Sequence, residues 1–376
     1  MPWKAAGVSM LRMQFVELVR VRRVPVARAC RQFGISRDTA YRWLARFDAD
    51  PAASLLDRPR RPHSSPGRTG GDIEDLILHA REQFGWGARK LHAFLLRHGH
   101  RVPSIRTVHT ILARRGTVHT PAVEHAPPLR FERHAPNELW QMDHKCDIEI
   151  ARARHYQLTI LDDHSRYLLR LTPVPDRAIT TAFSVLWRLM GEVGMPLAIL
   201  SDNAFSTTFE APATLSWFDA NLACLGIRAI HGRPYHPQTQ GKVERLHGTL
   251  EREFLPHAGR GSLDVYTRDA RRWQQLYNTV RPHEAIGDVP PAERWRRSDR
   301  VRPSKIPEPR YPAGSVLRKV STVGDVRWRC KRIMAGRGLV GRAVRVQETE
   351  TTVDLYFAHL KIRSIALDDF HGSAML

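Results

Sequence analysis

Trp140-Gln141-Met142-Asp143-His144-Lys145-Cys146-Asp147-Ile148-Glu149-Ile150 reads as a strand that carries an acid near its start. Further along, residues 197–201 form a short apolar strand that runs into Asp202 and Asn203. Residues 239–255 read as a helix, because Val243, Leu246, Leu250 and Phe254 recur at helical spacing and make a buried stripe. Glu244 sits beside that stripe, on the side expected to face the strand ends. Three acids on three separate elements, Asp143, Asp202 and Glu244, are therefore expected to converge.

Charge explains why three acids would gather. Hard divalent cations such as Mg²⁺ take oxygen ligands and keep waters, so a few carboxylates and substrate phosphates complete the shell. Two such ions, about 3.5–4 Å apart, activate an attacking oxygen and stabilise a leaving oxygen at phosphorus. Without metal, clustered carboxylates repel one another and at least one pKa rises. Each acid also has an ordinary reading. An Asp at a strand end is commonly a turn or cap residue, and a Glu on a basic helix is commonly an i,i+4 salt-bridge partner.

The neighbours of these acids are distinctive. The run Arg233-Pro234-Tyr235-His236-Pro237-Gln238-Thr239-Gln240-Gly241-Lys242-Val243-Glu244-Arg245 continues as Leu246-His247-Gly248-Thr249-Leu250. Tyr277-Asn278 is followed by Arg281-Pro282-His283, with Pro290-Pro291 behind. These runs resemble the signatures of retroviral-integrase-like DDE transposases of bacterial insertion sequences, and the resemblance extends from the N-terminal helices to about residue 298. It implies a ribonuclease-H-like α/β core, a mixed five-stranded sheet with helices, in which Asp143, Asp202 and Glu244 are catalytic and bind Mg²⁺ or Mn²⁺, as two ions. The implied activity is that of a DNA transposase. Such an enzyme binds the ends of its element, hydrolyses a phosphodiester and transfers the 3′ hydroxyl into target DNA, as a homo-oligomer assembled on double-stranded DNA. Asn203, His236, Gln240, Lys242 and Arg245 lie close in sequence to the acids and are candidate DNA contacts, with an ordinary turn or surface role equally open. Asp162 and Asp163 look structural in this family. Two departures stand out. The interval between Asp202 and Glu244 is long, at 41 residues, and Ala204 stands where relatives commonly carry Gly. Either would fit a weakened copy.

Upstream, residues 1–55 read as a first helix-turn-helix module. Pro25 starts its second helix, Gly34 makes the turn, and Ser36 caps a third helix. That helix turns Ala40, Trp43, Leu44 and Phe47 inward and leaves Arg37, Thr39, Tyr41 and Arg42 as candidate DNA contacts. Residues 1–70 hold 14 basic and 5 acidic side chains, which favours DNA over an ordinary bundle. A basic linker (56–71) leads to a second module (72–116) with Ser104 as a cap and Arg106 as a candidate contact. A second linker (117–136) contains several His at irregular spacing and no Cys, so zinc is not indicated. The core is read at 137–298, a Pro-rich linker at 299–313, and a small five-stranded β-barrel at 314–370, for DNA binding or assembly.

Composition agrees. At 376 residues several domains are expected. A formal charge of +21 calls for a polyanionic partner, nucleic acid first. Of the 59 basic residues 51 are Arg, which pairs bidentately with phosphate. The four cysteines form no CxxC, so reduced thiols are expected. No apolar span of membrane length and no signal-peptide core appear, so the expected setting is the bacterial cytoplasm and nucleoid, with no membrane partner. Two other classes remain open: a non-catalytic DNA-binding regulator or decayed copy, and a structure-selective nuclease.

Overall fold

The computed structural model describes residues 7–51, 55–57, 67–117, 132–201, 215–231, 241–329 and 331–367. Most of the two expected linkers, 56–71 and 117–136, lies outside these residues, as does the start of the helix expected at 211–225. Residues 1–68 and 69–376 form two compact units.

The first unit holds α1 (Val8–Arg20), α2 (Val26–Phe33) and α3 (Arg37–Ala49). Phe15, Val16, Ala29, Ile35, Ala40 and Leu44 fill its centre. Gly34 ends α2 with φ +63°, a conformation glycine adopts at no steric cost. Two residues on, Ser36 Oγ accepts the Thr39 amide at 3.2 Å and starts α3. Trp43 lies between the guanidinium groups of Arg12 and Arg46, at 3.8 and 4.4 Å from the ring centroid.

The second unit begins with α4 (Gly71–Phe84), α5 (Ala88–Arg97) and α6 (Ile105–Arg114), and repeats the same local devices. Gly85 ends α4 at φ +69°, and Ser104 Oγ accepts the Thr107 amide at 3.3 Å. Ile77, Leu91, Leu95, Val108, Ile111 and Leu112 form the core of these helices.

A five-stranded sheet follows, built from β1 (Trp140–Ile150), β2 (Ala153–Asp162), β3 (Leu168–Val174), β4 (Ala198–Ser201) and β5 (Arg228–His231), with α7 (Ile179–Val193) and α8 (Trp217–Cys224) between the later strands. Its order is β3-β2-β1-β4-β5. β1, β2 and β3 run antiparallel, while β4 and β5 are parallel to β1 and to each other. This is the mixed five-stranded sheet with helices that the sequence led us to expect. On one face Trp140, Met142, Leu158 and Ile160 pack against Phe183, Leu186 and Phe218 of α7 and α8. On the other, Ile148, Ile150, Leu161 and Leu171 meet α9 (Gly241–Glu253) and α10 (Leu263–Thr279).

A bulge in β1 between Lys145 and Asp147 makes this sharing of faces possible. Side chains alternate along a strand, and one inserted residue reverses the alternation. Trp140 and Met142 therefore face α7 and α8, whereas Ile148 and Ile150, also even-numbered, face α9 and α10. Gln141 and Asp143 are left on the α9 side.

Beyond residue 298 the expected barrel is replaced by two open sheets. β6 (Val316–Lys319), β9 (Ala343–Glu348), β10 (Thr352–Phe357) and β11 (Leu360–Ala366) form one in the order β11-β10-β9-β6, and β7 (Asp325–Trp328) pairs with β8 (Lys331–Met334) as a separate hairpin. The single strand expected over 326–333 is broken at Arg329, whose φ is +46°. Closure is unnecessary because the apolar side of these strands is covered by the core. Val326, Ile333, Val344, Leu355 and Phe357 pack with Ala220 and Ala223 of α8. Gly338 lies against the backbone of residues 215–217, where a Cβ would collide.

α10 is fixed to the sheet by a side chain that mimics a strand neighbour. Asn278 Oδ1 accepts the Leu168 amide at 2.8 Å, and its Nδ2 donates to the Leu168 carbonyl at 2.9 Å. Asn278→Ala leaves the buried Leu168 amide without its partner, while the Leu168 carbonyl keeps Gln274 Nε2 at 2.8 Å, so urea unfolding is expected to show a loss of about 1–3 kcal/mol. A loss below roughly 0.5 kcal/mol, the range of a neutral surface change, would contradict this role.

Candidate active site

The pairing of β1 with β4 ends at Met142 and Ser201, and the residue that follows each in sequence is an acid, Asp143 and Asp202. Asp202 lies outside the described residues, as do Asn203, His236, Gln240 and Ala204. Asp143 is half-buried, its side chain 18% exposed. Its Oδ1 accepts the His144 amide at 2.7 Å. Across the sheet it pairs with Thr159, whose hydroxyl donates to the Asp143 carbonyl at 3.1 Å. That hydroxyl has one proton, so at 2.9 Å from His247 Nε2 it acts as the acceptor there. His247 therefore carries its proton on Nε2 and turns Nδ1 toward Asp143 Oδ2, 3.8 Å away. Burial, aided by nearby Lys145, pulls the His247 pKa down to about 4, so the ring is neutral at pH 7 and does not neutralise the carboxylate.

Glu244 lies in the first turn of α9 and is exposed, with no hydrogen-bond or ion-pair partner among the described residues. α9 itself is fastened along its length. Lys242 Nζ meets Asp163 Oδ1 at 2.5 Å, Lys145 Nζ meets Glu251 at 2.6 Å, and Arg281 forms a two-pronged pair with Glu253 at 2.8 Å. Glu253 also receives the indole N–H of Trp86, from the α4–α5 turn, at 3.3 Å. Lys242, expected as a DNA contact, is thus bound to a wholly buried carboxylate. Arg245 is exposed on α9.

Asp143 and Glu244 offer hard oxygen donors, the set that suits Mg²⁺ or Mn²⁺ rather than a softer metal. Among the described residues no group of three or more His, Cys, Asp and Glu is gathered to hold an ion, and the third expected ligand is Asp202. The donor chemistry fits a divalent cation.

The candidate DNA contacts of α3 divide. Arg37, Tyr41 and Arg42 are exposed, while Thr39 is half-buried with its hydroxyl 2.9 Å from Ser36 Oγ, so its role is in the cap. Arg106 is exposed at the start of α6 and lines a cleft of about 520 Å³ with Arg89, Lys90 and His109. His247 and Thr159 were missed at the sequence level. The signal was present, since His247 interrupts the apolar stripe of α9 beside Leu246 and Leu250, and a polar side chain there needs a partner.

Four family models match the chain. Two described as an integrase core domain cover residues 133–237 and 225–291. The chain carries an integrase core. Ahead of this core, a helix-turn-helix domain matches residues 11–63 and a homeodomain-like domain residues 39–112. An uncharacterized 39.2 kDa protein of insertion element IS476 from Xanthomonas euvesicatoria is 30% identical over 163 residues, 42% of this chain and 44% of that protein. The match thus spans less than half of that relative. An uncharacterized 31.7 kDa protein of insertion element IS407 from Burkholderia multivorans is 26% identical over 274 residues, 71% of this chain and 88% of that protein. Among solved structures, the HTLV-2 integrase catalytic core domain in complex with magnesium is 18% identical, with a TM-score of 0.31 over 43% of this chain and 97% of that one. No helix among the described residues is long and apolar enough to cross a membrane.

Within the integrase core, the run around Arg281 and His283 is structural. Burial, with Arg281 and Arg166 adding to it, pulls the His283 pKa down to about 3. The unfolded chain therefore binds this proton more readily than the folded one. Stability from neutral His283 is fully present above pH 6.5 and is lost as pH falls toward 3. Replacing it, as His283→Leu, is expected to flatten the acid limb of stability between pH 6.5 and 4, and chemical denaturation across that range checks it. An unchanged slope would show that His283 titrates normally.

Proposed function

We propose that the protein is a DNA transposase that binds the ends of its own element, hydrolyses a phosphodiester and joins the resulting 3′ hydroxyl to target DNA. The observation that carries this reading is the half-buried Asp143 at the end of the β1–β4 pairing, within an integrase core that also contains Asp202 and Glu244. Two curated relatives are proteins of insertion elements, which supports a mobile-element origin. Asp143, Asp202 and Glu244 would hold two Mg²⁺ or Mn²⁺ ions. When bound, these supply activation of the attacking oxygen and stabilisation of the leaving oxygen. The chain's own part is to bind and orient DNA. Arg37, Tyr41 and Arg42 on α3 and Arg106 on α6 are assigned to end recognition by the two helix-turn-helix modules. Arg245 and, outside the described residues, Asn203, His236 and Gln240 are assigned to DNA near the acids. Neutral His247 holds the Asp143 backbone through Thr159. Two ends must be processed together, so the working form is a homo-oligomer on double-stranded DNA, acting in the bacterial cytoplasm.

Asp143→Asn, Asp202→Asn and Glu244→Gln are each expected to reduce strand cleavage of an element-end duplex to background while end binding persists. Cleavage by any one of the three removes that acid from the set, and binding without metal-dependent cleavage by the wild-type chain would make the protein a DNA-binding regulator. Arg42→Ala is expected to weaken end binding and, if its contact is to phosphate, to lower the salt-dependence slope by about 1. Unchanged affinity across salt concentrations would exclude it from the interface.

A further inference from the structure

We propose that Asp163 is a positioning residue that sets the separation of Asp143 from Glu244, with Lys242 serving as its partner and not as a DNA contact. This rests on the reading of those acids as the metal-binding set.

Asp163 follows β2 and is wholly buried. Its backbone N–H donates to the Leu139 carbonyl at 2.9 Å, and its Oδ2 accepts the Arg133 amide at 2.9 Å, so the carboxylate is held from both sides. The remaining oxygen, Oδ1, accepts from Gln141 Nε2 at 2.7 Å and from Lys242 Nζ at 2.5 Å. Gln141 stands two residues before Asp143 on the same face of β1. Lys242 stands two residues before Glu244 in the first turn of α9. A single oxygen thus joins the two segments that carry the acids, at the same offset from each.

A buried ion pair adds little net stability compared with apolar groups of the same shape, because desolvation offsets the attraction. What it does impose is orientation, since an unpaired charge at this depth is strongly disfavoured. The Asp163 carboxylate ties the start of α9 to β1, and a Lys242 ammonium that left to meet a phosphate would take away its ion-pair partner on α9. The tie touches neither acid and acts one step beyond the outer partners of metal ligands, whose loss typically weakens metal binding about 10–100-fold.

The test uses the full chain as wild type and as Asp163→Asn, Lys242→Gln, Lys242→Arg and Asp143→Asn. Binding of Mn²⁺ alone is followed by electron paramagnetic resonance of the free ion, and binding of duplex DNA without metal is measured at several salt concentrations. Asp163→Asn and Lys242→Gln are expected to weaken Mn²⁺ binding at least about tenfold, Lys242→Arg to restore it, and DNA affinity and its salt slope to stay unchanged. If Asp163→Asn does not fold, the Lys242 pair decides, since that side chain is 18% exposed and its loss leaves Asp163 bonded to Gln141 and Arg133. Wild-type Mn²⁺ binding in Lys242→Gln, with a lower DNA affinity and a shallower salt slope, would overturn the proposal and make Lys242 a phosphate contact. Wild-type Mn²⁺ binding in both variants, with loss only in Asp143→Asn, would overturn it while sparing the carboxylate reading. If Asp143→Asn binds Mn²⁺ as tightly as wild type, or wild type binds none, the carboxylate reading fails and this proposal with it.

Discussion

A helix that carries one acid in its first turn, packed on a strand that carries another, has two soft freedoms, sliding along its axis and rotation about it. Apolar packing restrains both only loosely, because Val243, Leu246 and Leu250 meet the sheet as a stripe without direction. A shift of one residue would move α9 by about 1.5 Å and turn it by about 100°. The polar ties at Lys242, His247, Glu251 and Glu253 leave one seating that satisfies all of them. The β1 bulge is the complementary device. It lets the same strand present Asp143 near its start and Ile148 and Ile150 near its end to one helix layer.

The sequence announced most of the core because its segments are locally consistent. β1 and α7 fall where alternation and helical period put them, at Trp140–Ile150 and Ile179–Val193. The tail was less legible for a non-local reason. Its apolar side chains were read as facing one another, whereas their cover comes from Ala220 and Ala223, about a hundred residues earlier in the chain. The break at Arg329 carries no Gly, Pro or Asn to announce it. In the candidate site, the three acids could be named from their neighbours in sequence, but the contacts of Asp163 could not. Its partners Gln141 and Lys242 lie far apart in the chain, and only the fold brings them to one oxygen.

The two stretches of helices before the core repeat one local design ahead of their last helix, a left-handed glycine (Gly34 and Gly99) followed by a Ser cap on that helix's third amide. Within the second unit this design is bound to the core by charge as well as by apolar contact. Leu276 and Val280 pack against its centre, Arg89 pairs with Asp288 and Glu284, and Arg97 pairs with Glu293. Exposed pairs of this kind add little stability singly. The bond from Trp86 to Glu253 in turn joins this stretch to the far end of α9. α9 is consequently a mechanical link between α4–α6 and the face of β1 that carries Asp143.

The contact of Gly338 with the backbone at residues 215–217 bears on how this chain can be cut or recombined. α8 belongs to two cores at once, giving Phe218 and Leu222 to the main sheet and Ala220 and Ala223 to the terminal strands. A shortened chain ending before residue 314 would uncover a greasy helix flank, and the exposed flank would be a seed for self-association. A terminal segment grafted from a related element would have to bring its own side-chain-free residue to the same spot. The tail and the core are therefore inherited as one piece.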